Sequence, residues 1–306
     1  MSFRWFIYYC AVCGGCAAFL GWMLGRVPHV EHHVWQAAVK GVFLGMLLGI
    51  VLTLVDVLWH FSGREGLEVC WRVLVAGLVG ALGGFAGGML GQILYANTKQ
   101  WWFLVLGWAV TGLLIGASPG LYEYFARVAC VEEAGSAARK VRNGMIGGVL
   151  GGFLGGLVFL QLSLLWEKLL GARVEVLWSP SATGFVALGM CIGLLIGLAQ
   201  ILLKEAWVVS VAGFRKGREL LLNRPEMLIG KAEGCDIPLY GDPLAEKQHA
   251  RIVRKGNAFF LEDLSVQAGT FVNGKRIKGR AELRAGDLIE VGRSSLRFHE
   301  RVRRVN

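Results

Sequence analysis

The stretch ILLKEAWVVSVAG, residues 201–213, marks the point at which the pattern of the sequence changes. Before it, long apolar runs are interrupted mainly by glycine, and residues 1–204 hold 33 of the 44 glycines. After it, short runs rich in β-branched and aromatic residues alternate with turn residues. Residues 1–204 also hold only 13 of the 32 Lys and Arg and 9 of the 22 Asp and Glu. The sequence therefore predicts two domains, residues 1–204 and residues 205–306.

Six apolar runs in the first domain are long enough to cross a membrane as a helix, which takes about 20 residues. They lie at about 5–25, 37–60, 73–95, 101–121, 144–166 and 183–203. The first run is longer than the apolar part of a cleaved signal peptide, about 7–15 residues, so we expect it to remain as a span. These runs predict an α-helical membrane bundle of about six helices.

The charges between the spans predict the orientation of this bundle. With the amino terminus inside, the inner segments carry eight Lys and Arg and the outer segments carry five. Because positive residues favour the cytoplasmic side, we expect both termini in the cytoplasm. Residues 122–143, between spans four and five, are long enough for an amphipathic helix, and Arg139, Lys140 and Arg142 in it are expected to mark topology and contact lipid headgroups.

A glycine-rich motif occurs twice in the bundle. GALGGFAGG (Gly80–Gly88) and GVLGGFLGG (Gly148–Gly156) match at an offset of 68 residues. This match predicts a duplicated hairpin, residues 73–121 and residues 144–203. Small residues at every fourth position allow helix backbones to approach closely in a membrane. We therefore predict that the following glycines pack helices within the chain or in a homo-oligomer, a pore lining being the alternative: Gly80, Gly84, Gly88, Gly148, Gly152 and Gly156.

Few residues in the bundle point to catalysis, transport or metal binding. CAVCGGC (Cys10–Cys16) lacks a fourth cysteine at iron–sulfur spacing and is interpreted as a packing segment. HVEHHVW (His29–Trp35) offers imidazoles to zinc, but solvated loop histidines are the preferred interpretation. Asp56 is the one candidate for a charged group within a span, but it lies near the cytoplasmic end of span two beside Trp59 and His60. This position favours an interfacial carboxylate and leaves a proton or ion role as the alternative. We expect no enzyme activity, no metal and no cofactor.

The second domain is predicted to be an all-β sandwich. Short strand-like runs such as AWVVSVAG, HARIVRKG and SLRFHE recur at the spacing typical of a sandwich. Between them, Lys255-Gly256-Asn257 and Asn273-Gly274 supply the positive φ angles that tight hairpins require. The domain is only mildly basic, which is weak support for a nucleic-acid partner, and none is expected.

Three segments of this domain, in this order, resemble a forkhead-associated (FHA) domain. They are LIGKAEGCDIPLYGDPLAEKQHARI (228–252), FFLEDLSVQAGTFVNGKRI (259–277) and LRAGDLIEVGRSSLRF (283–298). The resemblance implies an eleven-stranded β-sandwich whose loops at one end bind phosphothreonine peptides. Through glycine-rich segments such as KVRNGMIGGVLGGFLGG (140–156), the chain also resembles, over nearly its whole length, bacterial proteins that join such segments to FHA tails. This resemblance implies the bacterial inner membrane.

The family's residues map onto this sequence in two groups. Positions that the resemblance identifies as structural are intact: Gly230, His249, Gly269 and Thr270. Positions that it identifies as reading the ligand are changed: Lys231 replaces an arginine, Glu246 replaces the serine of a Ser-x-x-His motif, Lys247 follows it, and Gln267 and Ala268 replace a Thr/Ser-Asn pair. A carboxylate at position 246 would repel phosphate.

The sequence thus predicts a membrane-anchored, non-catalytic signalling adaptor. Its partners would be the lipid bilayer and a cytoplasmic protein bound through the FHA-like loops, with phosphothreonine specificity reduced or lost. One alternative is a phosphothreonine-peptide reader at the membrane, in which Lys231 and Lys247 supply the charge. The other is a channel or transporter that the FHA domain regulates.

Overall fold

The computed structural model of the chain describes residues 3–28, 32–59, 66–129, 135–170, 180–213, 216–222, 225–256, 258–265 and 267–301. The chain divides into two compact units. The helical unit comprises Arg4–Trp59 and Leu67–Leu203, and the second unit is built on Lys204–Asn306.

The described residues of the first part of the chain form six long α-helices. They are α1 (Phe3–Leu24), α2 (His33–Trp59), α3 (Gly66–Thr98), α4 (Trp102–Ala129), α5 (Gly135–Leu170) and α6 (Pro180–Leu202). All six are long and apolar enough to cross a membrane, which confirms the helical part of the predicted fold class. The prediction of a separate amphipathic helix within residues 122–143 is wrong. The described residues of that segment belong to the last turns of α4 and to the first turns of α5.

Glycine lets neighbouring helices of this unit approach until their backbones touch. A Cβ atom placed on Gly80 or on Gly148 would collide with a carbonyl group of the facing helix. The second helix of each hairpin packs in this way on the first helix of another hairpin, through the pairs Gly45–Gly80, Gly112–Gly148 and Gly189–Gly14. The contact therefore recurs in three hairpins, α1–α2, α3–α4 and α5–α6. The duplication in the sequence stays a prediction.

The other glycines named from the sequence face the same neighbouring helices. Gly84 and Gly88 of α3 lie against α2, and Gly152 and Gly156 of α5 lie against Trp108 of α4. Glycine costs about 1 kcal/mol per helical position relative to alanine in water, so packing between backbones has to offset that cost. All of these contacts lie within one chain.

Four charged side chains meet inside the helical unit. Lys140 Nζ of α5 lies 2.6 Å from Asp56 Oδ2 of α2 and 3.5 Å from Glu123 Oε2 of α4. Arg127 Nη2 lies 3.0 Å from Glu123 Oε1. The lipid-headgroup role predicted for Lys140 is wrong, because its side chain is only 14% exposed. Asp56, expected at an interface, is 5% exposed and pairs with this cation.

The described residues of the second unit form eleven strands in two sheets. The strands are β1 (Ala206–Ala212), β2 (Glu219–Leu221), β3 (Glu226–Gly230), β4 (Ile237–Pro238), β5 (Ala250–Lys255), β6 (Ala258–Asp263), β7 (Thr270–Val272), β8 (Lys275–Arg276), β9 (Arg280–Leu283), β10 (Leu288–Val291) and β11 (Ser294–Glu300). One sheet has the order β2-β1-β11-β10-β7-β8, and the other has the order β4-β3-β5-β6-β9. This arrangement confirms the predicted sandwich.

Alternating apolar residues fill the space between the two sheets. Val208, Leu296 and Phe298 of the first sheet belong to the same buried cluster as Ile229 and Leu261 of the second. In strands, alternate side chains point to opposite faces, so this pattern fixes the register of each strand against the core.

The predicted tight turn at Asn273-Gly274 joins β7 to β8. The φ angles of the two residues are 50° and 75°, as a type I′ hairpin turn requires. Gly256 also has a positive φ of 60° in the turn between β5 and β6, whereas Asn257 lies outside the described residues.

Candidate functional site

Three loops meet at one end of the sandwich and carry the residues that the sequence singled out. They join β3 to β4 (231–236), β4 to β5 (239–249) and β6 to β7 (264–269), and are called the ligand loops below. Val266 in the third loop is outside the described residues. The loops are held together by backbone and side-chain hydrogen bonds.

The first two ligand loops are joined through their backbones. The Lys231 N–H donates to the carbonyl oxygen of Glu246 at 3.0 Å, and the Ala232 N–H donates to that of Lys247 at 3.1 Å. Gly230 makes this approach feasible, because a Cβ atom there would collide with the Lys247 carbonyl. The backbone at positions 246 and 247 is thus fixed from one side.

Glu246 joins the second and third ligand loops through its side chain. Its Oε1 accepts a hydrogen bond from the Gln267 N–H at 3.0 Å, across 21 residues of sequence. The carboxylate therefore occupies a position, at the end of the sandwich, where a backbone N–H group donates a hydrogen bond to an anion. Glu246 is half-buried, whereas Gln267 is exposed.

His249 supports both loops from beneath and is fully buried. Its Nδ1 accepts a hydrogen bond from the Glu246 N–H at 3.1 Å, so the neutral ring carries its proton on Nε2. Nε2 lies 3.1 Å from the Gly269 carbonyl oxygen, to which it then donates. One imidazole thus fixes the backbone of the second ligand loop at Glu246 and that of the third at Gly269.

Asp263 fixes the third ligand loop. Its carboxylate accepts hydrogen bonds from the Ser265 hydroxyl at 2.6 Å and the Thr270 hydroxyl at 2.8 Å. Burial tends to raise the pKa of Asp263, but hydrogen bonds from Ser265 and Thr270 outweigh it, so the pKa lies below its ordinary value. The ionised form is therefore the one that the fold stabilises. The Ser265 hydroxyl in turn accepts the Gly269 N–H at 2.8 Å.

The remaining predicted ligand positions are accessible at the surface of the loops. Lys231, Lys247 and Gln267 are exposed, and Ala268 is half-buried. No catalytic arrangement was expected from these residue types, and the geometry gives them surface positions from which they can contact a partner.

Arg276 is a cation at this site that the sequence analysis did not single out. Gly269 has a φ of 74°, and a Cβ atom there would lie 2.5 Å from Arg276 Nε and 2.8 Å from its Cζ. The guanidinium of β8 therefore lies directly against the third ligand loop. The sequence does contain a signal, the basic segment GKRIKGR (274–280). However, the contact of Arg276 with Gly269 depends on the pairing of β7 with β8.

Asp242 is a second residue that the sequence analysis missed. It accepts hydrogen bonds from the Leu244 N–H at 3.0 Å, the Arg293 N–H at 2.8 Å and the Ser294 hydroxyl at 2.8 Å. Burial tends to raise the pKa of Asp242, yet hydrogen bonds from Ser294 and from backbone N–H groups hold it below its ordinary value. Asp242 thereby ties the second ligand loop to the turn before β11.

Metal ligands were considered at two places in the sequence. In the part of the chain that the structure describes, no three His, Cys, Asp or Glu side chains come close enough to hold a metal ion. His29 and Glu31 of the HVEHHVW segment lie outside that part.

The family model for the FHA domain matches residues 227–292, which run from β3 to the end of β10. Residues 227–292 are an FHA domain. FHA domains are phosphothreonine-binding modules that mediate protein interactions. The family match leaves the helical unit outside it.

Known proteins with FHA domains resemble the chain over part of its length. The FHA domain-containing protein FhaB of Mycobacterium tuberculosis is 24% identical over 133 residues, which are 43% of this chain and 84% of FhaB. The structure of the FhaA FHA domain, complexed with the intracellular domain of Rv3910, is 26% identical with a TM-score of 0.28, covering 31% of this chain and 99% of that one. The FHA domain of CT664 from Chlamydia trachomatis is 24% identical with a TM-score of 0.30, covering 32% and 100%.

Proposed function

We propose that the protein is a membrane-anchored, non-catalytic signalling adaptor whose FHA domain binds a cytoplasmic protein with reduced dependence on phosphothreonine. The observation that carries this proposal is the hydrogen bond from the Gln267 N–H to the Glu246 carboxylate. By resemblance, position 246 belongs to a serine that reads phosphate. Here a carboxylate of the domain itself accepts the hydrogen bond of a backbone N–H group in the ligand loops.

The electrostatics of the loops favour a partner that brings no phosphate. A phosphothreonine carries about −1.5 to −2 charges. At 4 Å, each unit of that charge costs on the order of 4 kcal/mol against a carboxylate at an effective dielectric constant of 20. A hydrogen bond from a lysine such as Lys231 returns about 1.5–3 kcal/mol, without the bidentate geometry of arginine. Glu246 therefore discriminates against phosphate unless it turns away.

The helical unit would supply the membrane anchor, with residues 1–204 in the bilayer and residues 205–306 in the cytoplasm. Large apolar side chains are exposed on its helices, among them Leu78 of α3 at 59% and Leu82 at 64%. Contiguous exposed apolar surface of this kind is suited to lipid. The excess of positive residues on the inner side favours cytoplasmic termini, as in a bacterial inner-membrane protein.

A phosphothreonine-peptide reader is the second candidate, and the exposed cations favour it. Lys231 and Lys247 are exposed in the ligand loops, and the guanidinium of Arg276 lies against Gly269. Together they would attract an anionic peptide if Glu246 released the Gln267 N–H. The two candidates therefore differ in what Glu246 does when a partner binds.

A binding titration separates these candidates. The full-length protein in lipid nanodiscs would be titrated with a degenerate phosphothreonine peptide pool and with the same pool unphosphorylated. Affinities that agree within about threefold support a docking surface that is independent of phosphate. Micromolar binding that requires the phosphate would overturn the proposal and establish the reader.

A further inference from the structure

A cavity of about 300 Å³ opens in the helical unit, at the end where α2 and α6 begin and where α3 and α5 end. Ligand pockets in proteins range from about 300 to 1,000 Å³, so this cavity suits a small molecule. It lies at the opposite end of the unit from Leu203, after which the chain continues to the sandwich. All of its lining residues belong to the helical unit.

Three aromatic rings form the apolar wall of this cavity. Trp108 of α4, Phe159 of α5 and Phe185 of α6 line it together. Their ring centroids are 6.0 Å apart for Trp108 and Phe159, 5.4 Å for Trp108 and Phe185, and 5.1 Å for Phe159 and Phe185. Interlocked rings of this kind present a firm apolar surface, because each ring restricts the rotamers of the other two.

The other wall is polar and carries a cation. Lys40 and Gln36 of α2, Gln92 of α3 and Ser181 of α6 line it. The described residues of the cavity lining include no carboxylate, and the ammonium of half-buried Lys40 has no hydrogen-bond or ion-pair partner among the described residues. A partly buried charge without a partner is costly, so this wall is suited to an anion.

A second cation lies close to the same mouth. A Cβ atom on Gly25 would lie 2.9 Å from the Lys40 Cα, so the chain just before Arg26 packs against Lys40. The Arg26 guanidinium lies 4.9 Å from the centre of the Trp22 ring, and Trp22 Nε1 donates to Ser181 Oγ at 3.1 Å. The charged residues described at this end of the cavity, Lys40 and Arg26, are therefore both positive.

We propose that this cavity binds a small amphipathic anion, with its charged group at Lys40 and its apolar group against Trp108, Phe159 and Phe185. A bare inorganic anion would leave the aromatic wall unfilled, and a neutral apolar molecule would leave Lys40 without a counterion. The shared chemistry is a carboxylate or phosphate joined to an apolar group. Both a free small molecule and the headgroup and upper acyl chain of an anionic lipid can have this chemistry.

The test uses the full-length protein in phosphatidylcholine nanodiscs and isothermal titration calorimetry with 4-phenylbutyrate. The neutral analogue 4-phenyl-1-butanol carries the same apolar group and serves as the ligand control. We expect saturable binding of the carboxylate and at least tenfold weaker binding of the alcohol. Absence of saturable binding, or equal binding of the two compounds, would overturn the proposal.

Variants of Lys40 test whether the binding occurs in this cavity. Lys40→Gln should weaken 4-phenylbutyrate binding at least tenfold, whereas Lys40→Arg should retain it. Lys168→Gln removes an exposed charge near the end of α5 and should change nothing. If Lys40→Gln fails to fold, retention in Lys40→Arg together with the alcohol comparison still supports the proposal. Unchanged binding in a folded Lys40→Gln variant would contradict it.

The source of the anion is decided with nanodiscs that contain phosphatidylglycerol. If that lipid lowers the apparent affinity for 4-phenylbutyrate in the unmodified protein and in Lys40→Arg, but not in Lys40→Gln, the site is assigned to the lipid. If the affinity stays the same, the site is assigned to a free small molecule. Both outcomes keep the anion site, whereas competition that persists in Lys40→Gln would place the lipid elsewhere and contradict it.

Discussion

Two carboxylates, one in each unit, show opposite ways of placing an acidic group. Asp56 in the helical unit is 5% exposed and lies 2.6 Å from the ammonium of Lys140. Glu246 in the sandwich is half-buried and accepts a backbone N–H at 3.0 Å. The first carboxylate is compensated by a charge that is itself mostly buried, so removing either partner alone is costly. The second can exchange its partner for water or for a ligand.

The difference separates structural from selective roles. A buried ion pair is kept because breaking it is expensive, which suits a bundle whose helices must hold one register. A half-exposed carboxylate contributes little to stability but dominates the local potential that an incoming ligand meets. The following predictions test this contrast, from the largest expected effect to the smallest.

Lys140→Met should destabilise the helical unit by about 3–5 kcal/mol, because it leaves Asp56 and Glu123 buried without their shared cation. Adding Asp56→Asn should restore part of that loss. The measurement is unfolding of the full-length protein in detergent, with Lys168→Met at the exposed end of α5 as the matched control. Equal stability of the two single variants would show that the buried pair is not structural.

His249→Ala should lower the free energy of unfolding of the sandwich by about 2–3 kcal/mol, because the Glu246 N–H and the Gly269 carbonyl lose a partner. Hydrogen exchange of the full-length protein would report the change at these loops. Gln248→Ala, which alters the exposed neighbour, should leave exchange unchanged. A loop that exchanges no faster in His249→Ala would contradict the supporting role of the imidazole.

Gly144→Ala should destabilise the helical unit by about 1–3 kcal/mol, because a Cβ atom there collides with the backbone at Gly116 and separates α4 from α5. That separation would also loosen the contact of Lys140 with Glu123. Gly135→Ala is the control, since a Cβ there would lie 3.7 Å from its nearest neighbour, an arginine nitrogen. If Gly144→Ala alters the oligomeric state and leaves stability unchanged, the glycines serve contacts between chains instead.

The stability of the sandwich should fall in acid. The pKa of Asp263 is below its ordinary value in the folded protein, so its contribution is complete above the unfolded pKa of about 4. The contribution is then lost as the pH falls through the lower, folded value. Asp263→Asn should therefore be less stable than the unmodified protein at pH 7, and the difference should shrink in chemical denaturation toward pH 2. A constant difference would contradict this assignment.

Much of the fold follows from the sequence, because each unit is governed by a local pattern. Apolar runs of the length of a membrane span predicted six helices, and short strand-like runs separated by turn residues predicted the sandwich. The contacts of Lys140 could not be predicted, because its partners are 84 and 17 residues away and a cation near a span end is usually a topology marker.

The site was predictable in composition but not in its hydrogen bonds. The motif placed Glu246 and Gln267 in neighbouring loops, yet the bond between them depends on a side-chain rotamer that the sequence does not specify. Arg276 was missed because it reaches Gly269 only through the hairpin of β7 and β8. Contacts between strands can be predicted only when the strand register is known, whereas residues within one sequence motif can be assigned without it.

The most direct test of the account is the ratio of affinities for phosphorylated and unphosphorylated peptides in three proteins. The ratio would be measured for the unmodified full-length protein, for Glu246→Ser and for the isosteric, uncharged Glu246→Gln. We predict a ratio near one for the unmodified protein and at least tenfold higher in Glu246→Ser, with a smaller rise in Glu246→Gln and stability unchanged within about 0.5 kcal/mol. A high ratio in the unmodified protein that neither substitution raises would contradict the account.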